Sequence, residues 1–88
     1  MKTEKAEVVN TLGIHARPAA QIVKTASLFD STVDLTVDGV TVNAKSIMGV
    51  MTLAACRGSV IEVKAEGEDE QEAVSSVVRL IREGFGED

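Results

Sequence analysis

Thr32-Val33-Asp34-Leu35-Thr36-Val37-Asp38-Gly39-Val40-Thr41-Val42-Asn43 alternates apolar and polar residues on either side of an Asp-Gly pair. Successive side chains of a strand point to opposite faces, so Val33, Leu35 and Val37 share one face and Thr32, Asp34 and Thr36 the other. Asp38-Gly39 suits the two central positions of a hairpin turn that needs positive φ at both. The stretch therefore predicts a hairpin of strands 32–37 and 40–43, with Val40 and Val42 returning on the inward face. A polar residue at every second position means a sheet covered on one side only.

Upstream, residues 16–29 place Ala19, Ile22, Val23, Ala26 and Phe29 at steps of three and four, which is one face of an amphipathic helix. Residues 5–9 predict a first strand, with 10–13 as its exit loop. Downstream, Ser46 is a natural N-cap for a short helix running to about Leu53. On a helical wheel Ile47, Val50 and Ala54 form one stripe of it, with Met51 at the edge. Arg57-Gly58 breaks the chain, and residues 59–65 predict a fourth strand with Ile61, Val63 and Ala65 on one face. Asp69 with Glu72 three residues later predicts a capping arrangement. The last helix turns Val74, Val77, Val78, Ile81 and Phe85 inward; Gly84 and Gly86 end it, and the acidic Glu87-Asp88 follows. The order is βαββαβα, an α+β chain with helices on one face of a sheet that is at least partly antiparallel. No linker, repeat or low-complexity segment interrupts it, so residues 1–88 read as one domain near the lower size limit of a single core.

Composition narrows the function. A net charge of −5 argues against nucleic-acid partners, whose phosphates demand cationic neutralisation. With Phe29 and Phe85 the only aromatics, there is no surface on which bases could stack. No apolar run follows Met1-Lys2-Thr3-Glu4-Lys5 and none approaches spanning length, so no membrane is expected and the location implied is the cytoplasm. The single cysteine, Cys56, allows no internal disulfide and reads as a small residue near the end of the second helix. The acidic run 66–72 lacks the spacing of a calcium loop and reads as a solvated turn, so no metal and no cofactor is expected.

The chemistry concentrates in Gly13-Ile14-His15-Ala16-Arg17-Pro18-Ala19-Ala20, which holds the only histidine. Proline is at home in a helix's first turn, where its missing N–H costs nothing. The remaining free N–H groups of that turn and the helix dipole make an anion site beside His15. Arg17 adds a fixed charge and a fork suited to phosphate oxygens. The helix start and Arg17 both favour a neutral imidazole, whose nitrogen lone pair can attack a phosphoryl group. The tetrapeptide His15-Ala16-Arg17-Pro18 alone fits a plain surface or N-capping histidine equally well.

Gly13 to Ala20, taken with Lys45-Ser46-Ile47-Met48-Gly49-Val50-Met51, resembles the HPr family, the histidine-containing phosphocarriers of the bacterial sugar phosphotransferase system. The likeness covers nearly the whole chain in length, element order and motif spacing. It implies an open-faced β-sandwich of four antiparallel strands with three helices on one face. It implies a carrier, not an enzyme: His15 accepts a phosphoryl group on Nδ1 from enzyme I and passes it to IIA components of sugar permeases. Arg17 and the backbone N–H groups of Ala16 and Arg17 would hold the phosphate. Ala20, Gln21, Lys24, Lys45, Ile47, Met48 and Met51 would dock the partners. Methionine at helical spacing more often fills a core, but exposed here it would make an adaptable contact surface. Ser46 matches a regulatory phosphorylation site of some members, which brings in an HPr kinase/phosphorylase and a transcriptional regulator. The protein is expected to be a monomer. Two alternatives stand beside this reading: a regulatory paralogue serving a nitrogen-related branch or acting through phospho-Ser46, and an unrelated α+β binding module in which His15 is incidental.

Overall fold

Strands β2 (Thr32–Val37) and β3 (Val40–Asn43) form the expected hairpin, paired from Val37 with Val40 to Asp34 with Asn43. Asp38 and Gly39 turn the chain with φ of 50° and 82°. The computed structural model describes residues 1–87, so Asp88 lies outside the described residues. Around the hairpin the chain runs β1 (Lys2–Glu7), α1 (Ala16–Ala26), β2, β3, α2 (Ile47–Thr52), β4 (Val60–Glu66) and α3 (Glu70–Arg82), and closes in a 3-10 turn at Gly84–Gly86.

The sheet order is β1-β4-β2-β3 and every pairing is antiparallel. Leu35 lies opposite Val63 on one side and Val42 on the other, so these side chains share the inner face. Val33, Leu35, Val37, Ile61, Val63 and Ala65 are buried there beneath α1 and α3, which contribute Ala19, Ile22, Ala26, Val74, Val77, Val78 and Ile81. The outer face is polar, with Thr36 and Thr41 hydroxyls 2.8 Å apart across the hairpin.

Several expectations shift at element ends. Val40 shares the inner face with Val37 but is 51% exposed, because β3 is the edge strand and its first residue lies beyond the helices. The first strand occupies Lys2–Glu7, not 5–9, since pairing with β4 runs from Lys2 with Ala65 to Glu7 with Val60. Helix α1 stops at Ala26: the N–H groups of Leu28 and Phe29 bond three residues back, to Thr25 and Ala26, tightening the last turn. In α2 the buried side is Val50 with Leu53; Ile47 is exposed and Ala54, with φ of 50°, lies past the helix end. Cys56 is likewise beyond α2, exposed in a turn where its N–H donates to Ser59 Oγ at 3.1 Å.

The Asp69–Glu72 capping arrangement does not form. The Asp69 carboxylate turns away from α3 and accepts from the N–H groups of Asp30 and Ser31, each at 2.9 Å, and from the Ser31 hydroxyl. Tertiary donors outcompete the local cap, and the turn after α1 is locked to the start of α3. Phe85 is buried as expected, but from the closing 3-10 turn rather than from the helix.

Candidate functional site

His15 is the N-cap residue of α1, extended at φ −94° and ψ −169°, and its side chain does not cap the helix. Its carbonyl accepts from Ala19 N–H at 2.9 Å, while Pro18 has no N–H to offer. That leaves the N–H groups of Ala16 and Arg17 in the first turn without an acceptor among the described residues. Two free donors and the positive end of α1 lie beside an imidazole that is 37% exposed, and Arg17, two residues on, is exposed.

The loop that delivers His15 is held from three sides. Ile14 N–H donates to Ala55 carbonyl at 2.9 Å, tying the loop to the segment between α2 and β4. Gly13 has φ of 68°, and a Cβ there would lie 2.5 Å from that same Ala55 oxygen and 2.8 Å from Cys56 Cα. Only glycine fits both the conformation and the space. From the third side, the fully buried Asn10 donates through Nδ2 to Gly13 carbonyl at 2.8 Å and to Glu87 Oε1 at 2.9 Å.

Glu87 completes the site. Its Oε1 is 2.9 Å from His15 Nε2. Three successive residues in the left-handed region, Gly84, Phe85 and Gly86 at φ of 67°, 59° and 75°, turn the chain toward the histidine, with Phe85 buried as the anchor. The hydrogen bond from His15, and after it the one from Asn10, hold the Glu87 carboxyl below the ordinary glutamate value; the charges of His15 and Arg17 act in the same sense.

The expected docking residues lie on two helices that pack against each other. On α1, Ala20 and Lys24 are exposed and Gln21 is half-buried. On α2, Met48 is 76% exposed, with Ile47 and Met51 each at 44%. The methionines therefore face solvent and do not fill the core. Lys45 is less free than a rim charge would be: its Nζ donates to Phe29 carbonyl at 2.8 Å and ties the loop before α2 to the end of α1. Ser46 caps α2 as expected, its hydroxyl accepting from Gly49 N–H at 3.1 Å. Among the described residues no cluster of His, Cys, Asp and Glu could hold a metal, and no helix is long and apolar enough to cross a membrane.

Asn10 and Glu87 escaped the reading of the sequence. Asn10, three residues before a glycine, carries a weak turn signal; Glu87 is 72 residues from His15 and carries none. Leu12, 72% exposed in the same loop, was also passed over.

Known proteins resemble this chain along nearly its whole length. The family model described as the PTS HPr component phosphorylation site matches residues 2–83. The phosphocarrier protein HPr of Treponema pallidum is 50% identical over 88 residues, covering all of both chains. The HPr-C-His structure from Thermoanaerobacter tengcongensis superposes with a TM-score of 0.95 at 49% identity, covering 100% of this chain and 99% of that one. Crh, the catabolite repression HPr of Bacillus subtilis, is 47% identical with a TM-score of 0.76, covering 94% of this chain and 95% of that one; that structure is a swapped-domain dimer. Full-length likeness in sequence, sheet and motif spacing leaves one assignment: the chain belongs to the HPr family of phosphocarrier proteins of the phosphotransferase system.

Proposed function

We propose that this protein carries a phosphoryl group on His15 from enzyme I to the IIA components of sugar permeases in the cytoplasm. The observation that carries the reading is the exposed imidazole at the start of α1, beside the two unpaired N–H groups of Ala16 and Arg17. In acceptance, the Nδ1 lone pair attacks the phosphorus of phosphorylated enzyme I. A nitrogen–phosphorus bond forms as the donor's bond to phosphorus breaks and its electron pair returns to the donor. The anionic oxygens then meet the two N–H groups, the helix dipole and the Arg17 guanidinium. Donation to a IIA component reverses these steps. Positioning and electrostatics dominate such transfers, and the partners supply the remaining catalytic groups. The apolar surface of Ile47, Met48 and Met51, with Ala20, Gln21, Lys24 and Lys45 around it, docks both partners in turn.

The test is intact mass after incubation with phosphoenolpyruvate, magnesium and enzyme I. The parent chain gains one phosphoryl group, about 80 Da, which acid removes and a IIA component takes up; His15→Ala gains nothing. Met48→Asp reaches the same endpoint more slowly at limiting protein. Uptake by His15→Ala, or none by the parent chain, would sink the proposal.

The likeness to Crh, named a catabolite repression HPr, favours a second, regulatory role, which we assign to Ser46 at the N-cap of α2. A phosphate on an N-cap residue is electrostatically favourable to its helix, so α2 would persist while negative charge appeared beside the docking surface. An HPr kinase/phosphorylase with ATP that adds no mass, or adds it to Ser46→Ala as well, rules this role out.

A further inference from the structure

Phosphoryl acceptance on Nδ1 requires that nitrogen to be free of its proton, and the neutral ring leaves open which nitrogen that is. We infer that Asn10 and Glu87 are positioning residues that set it: the Asn10 amide holds the Glu87 carboxylate against His15 Nε2, which keeps the proton there and the lone pair on Nδ1.

The polarity of the contacts admits one arrangement. An ionised carboxylate only accepts, so at 2.9 Å His15 Nε2 must be the donor. Gly13 carbonyl is also an acceptor, so the Asn10 group facing both it and Glu87 Oε1, at 2.8 and 2.9 Å, must be the NH2 end. That orientation leaves Asn10 Oδ1 buried with no partner. A buried acceptor left unpaired opposes folding, and an apolar residue would avoid it, so the side chain's worth lies in what its other end holds. The closing turn supports the same conclusion. Phe85 adopts a left-handed conformation that side chains disfavour, and its consequence is that Glu87 returns to the histidine. The hydrogen bonds to Glu87 lower its pKa, which keeps it an acceptor. Arg17, the other charge acting on Glu87, is cationic and adds no competing acceptor.

The pairing also suits the transfer. As Nδ1 commits its lone pair to phosphorus, positive charge develops on the ring, and the Nε2–H bond to Glu87 stabilises it from the side away from the incoming phosphate. This consequence for transfer rests on the carrier reading. The tautomer itself is readable without any partner.

The experiment is long-range 1H–15N NMR of the labelled full chain at a pH where His15 is neutral, on the parent, Glu87→Ala, Glu87→Gln and Asn10→Ala. The parent should show Nε2 protonated and Nδ1 bare. Glu87→Ala and Asn10→Ala should move both nitrogens toward averaged shifts and slow uptake from phosphorylated enzyme I several-fold, while Glu87→Gln, whose carbonyl still accepts, retains most of the parent pattern. If Asn10→Ala fails to fold, Glu87→Ala, at a half-buried position, decides alone. Parent-like shifts in Glu87→Ala would overturn the inference. The parent pattern lost in Glu87→Ala, with no uptake by the parent chain itself, would support the positioning pair and overturn only the carrier reading.

Discussion

At Gly13 the backbone, not a side chain, makes the site. Its positive φ and its contact with Ala55 carbonyl set the angle at which Ile14 and His15 leave the loop. Gly13→Ala adds a Cβ that meets backbone atoms at 2.5 and 2.8 Å, which no rotamer change can relieve. We expect a loss of about 2–4 kcal/mol, the range of a core clash added to a disfavoured φ. Gly39→Ala is the control: its φ is 82° but nothing lies within 4 Å. The conformational term alone then applies, about 1–2 kcal/mol. Thermal unfolding should place Gly13→Ala clearly below Gly39→Ala; equal melting temperatures would contradict the close approach. His15 and Arg17 stand out in the sequence because their chemistry is local: a helix start, a proline and a cation within one short run. Asn10 and Glu87 do not, since they lie 77 positions apart and meet only once the chain between them has folded.

Helices and strands followed from periodicity wherever one face of an element is covered. The hairpin at 32–43 and the buried faces of α1, β4 and α3 are set by alternation or by three- and four-residue steps, and the structure repeats them. Element ends depend on competition that local pattern does not record. Asp69 is the clearest case, a cap by position that instead binds the turn after α1. The Ser31 hydroxyl, and next the Asp30 N–H, hold its carboxyl below the ordinary value of 3.8. The unfolded chain therefore takes up the proton first on acidification. Stability from these bonds is complete above the unfolded value and is lost as pH falls through the lower folded one. In Asp69→Asn that acid-dependent part disappears, so urea midpoints measured from about pH 5 down to about pH 2 should fall less steeply than in the parent. Parallel slopes would show that the lock contributes nothing.

For the molecule as a whole, the strand order β1-β4-β2-β3 lay beyond what pattern alone could supply. A βαββαβα order with one polar sheet face is compatible with several arrangements, and the resemblance carried by two motifs selected among them. The arrangement packs α1 against α2, so the start of one helix, with its unpaired N–H groups, and the exposed methionines of the other lie on adjoining elements. It also returns Glu87 to the one histidine. On the proposed function, this assembly presents Nδ1 of His15 to a phosphoryl donor. The most direct measurement is 31P NMR of the 15N-labelled chain after phosphorylation by enzyme I, reading which nitrogen couples to phosphorus. We expect a single phosphohistidine signal coupled to Nδ1 of His15. Phosphorus coupled to Nε2, or found on a residue other than His15, would contradict it.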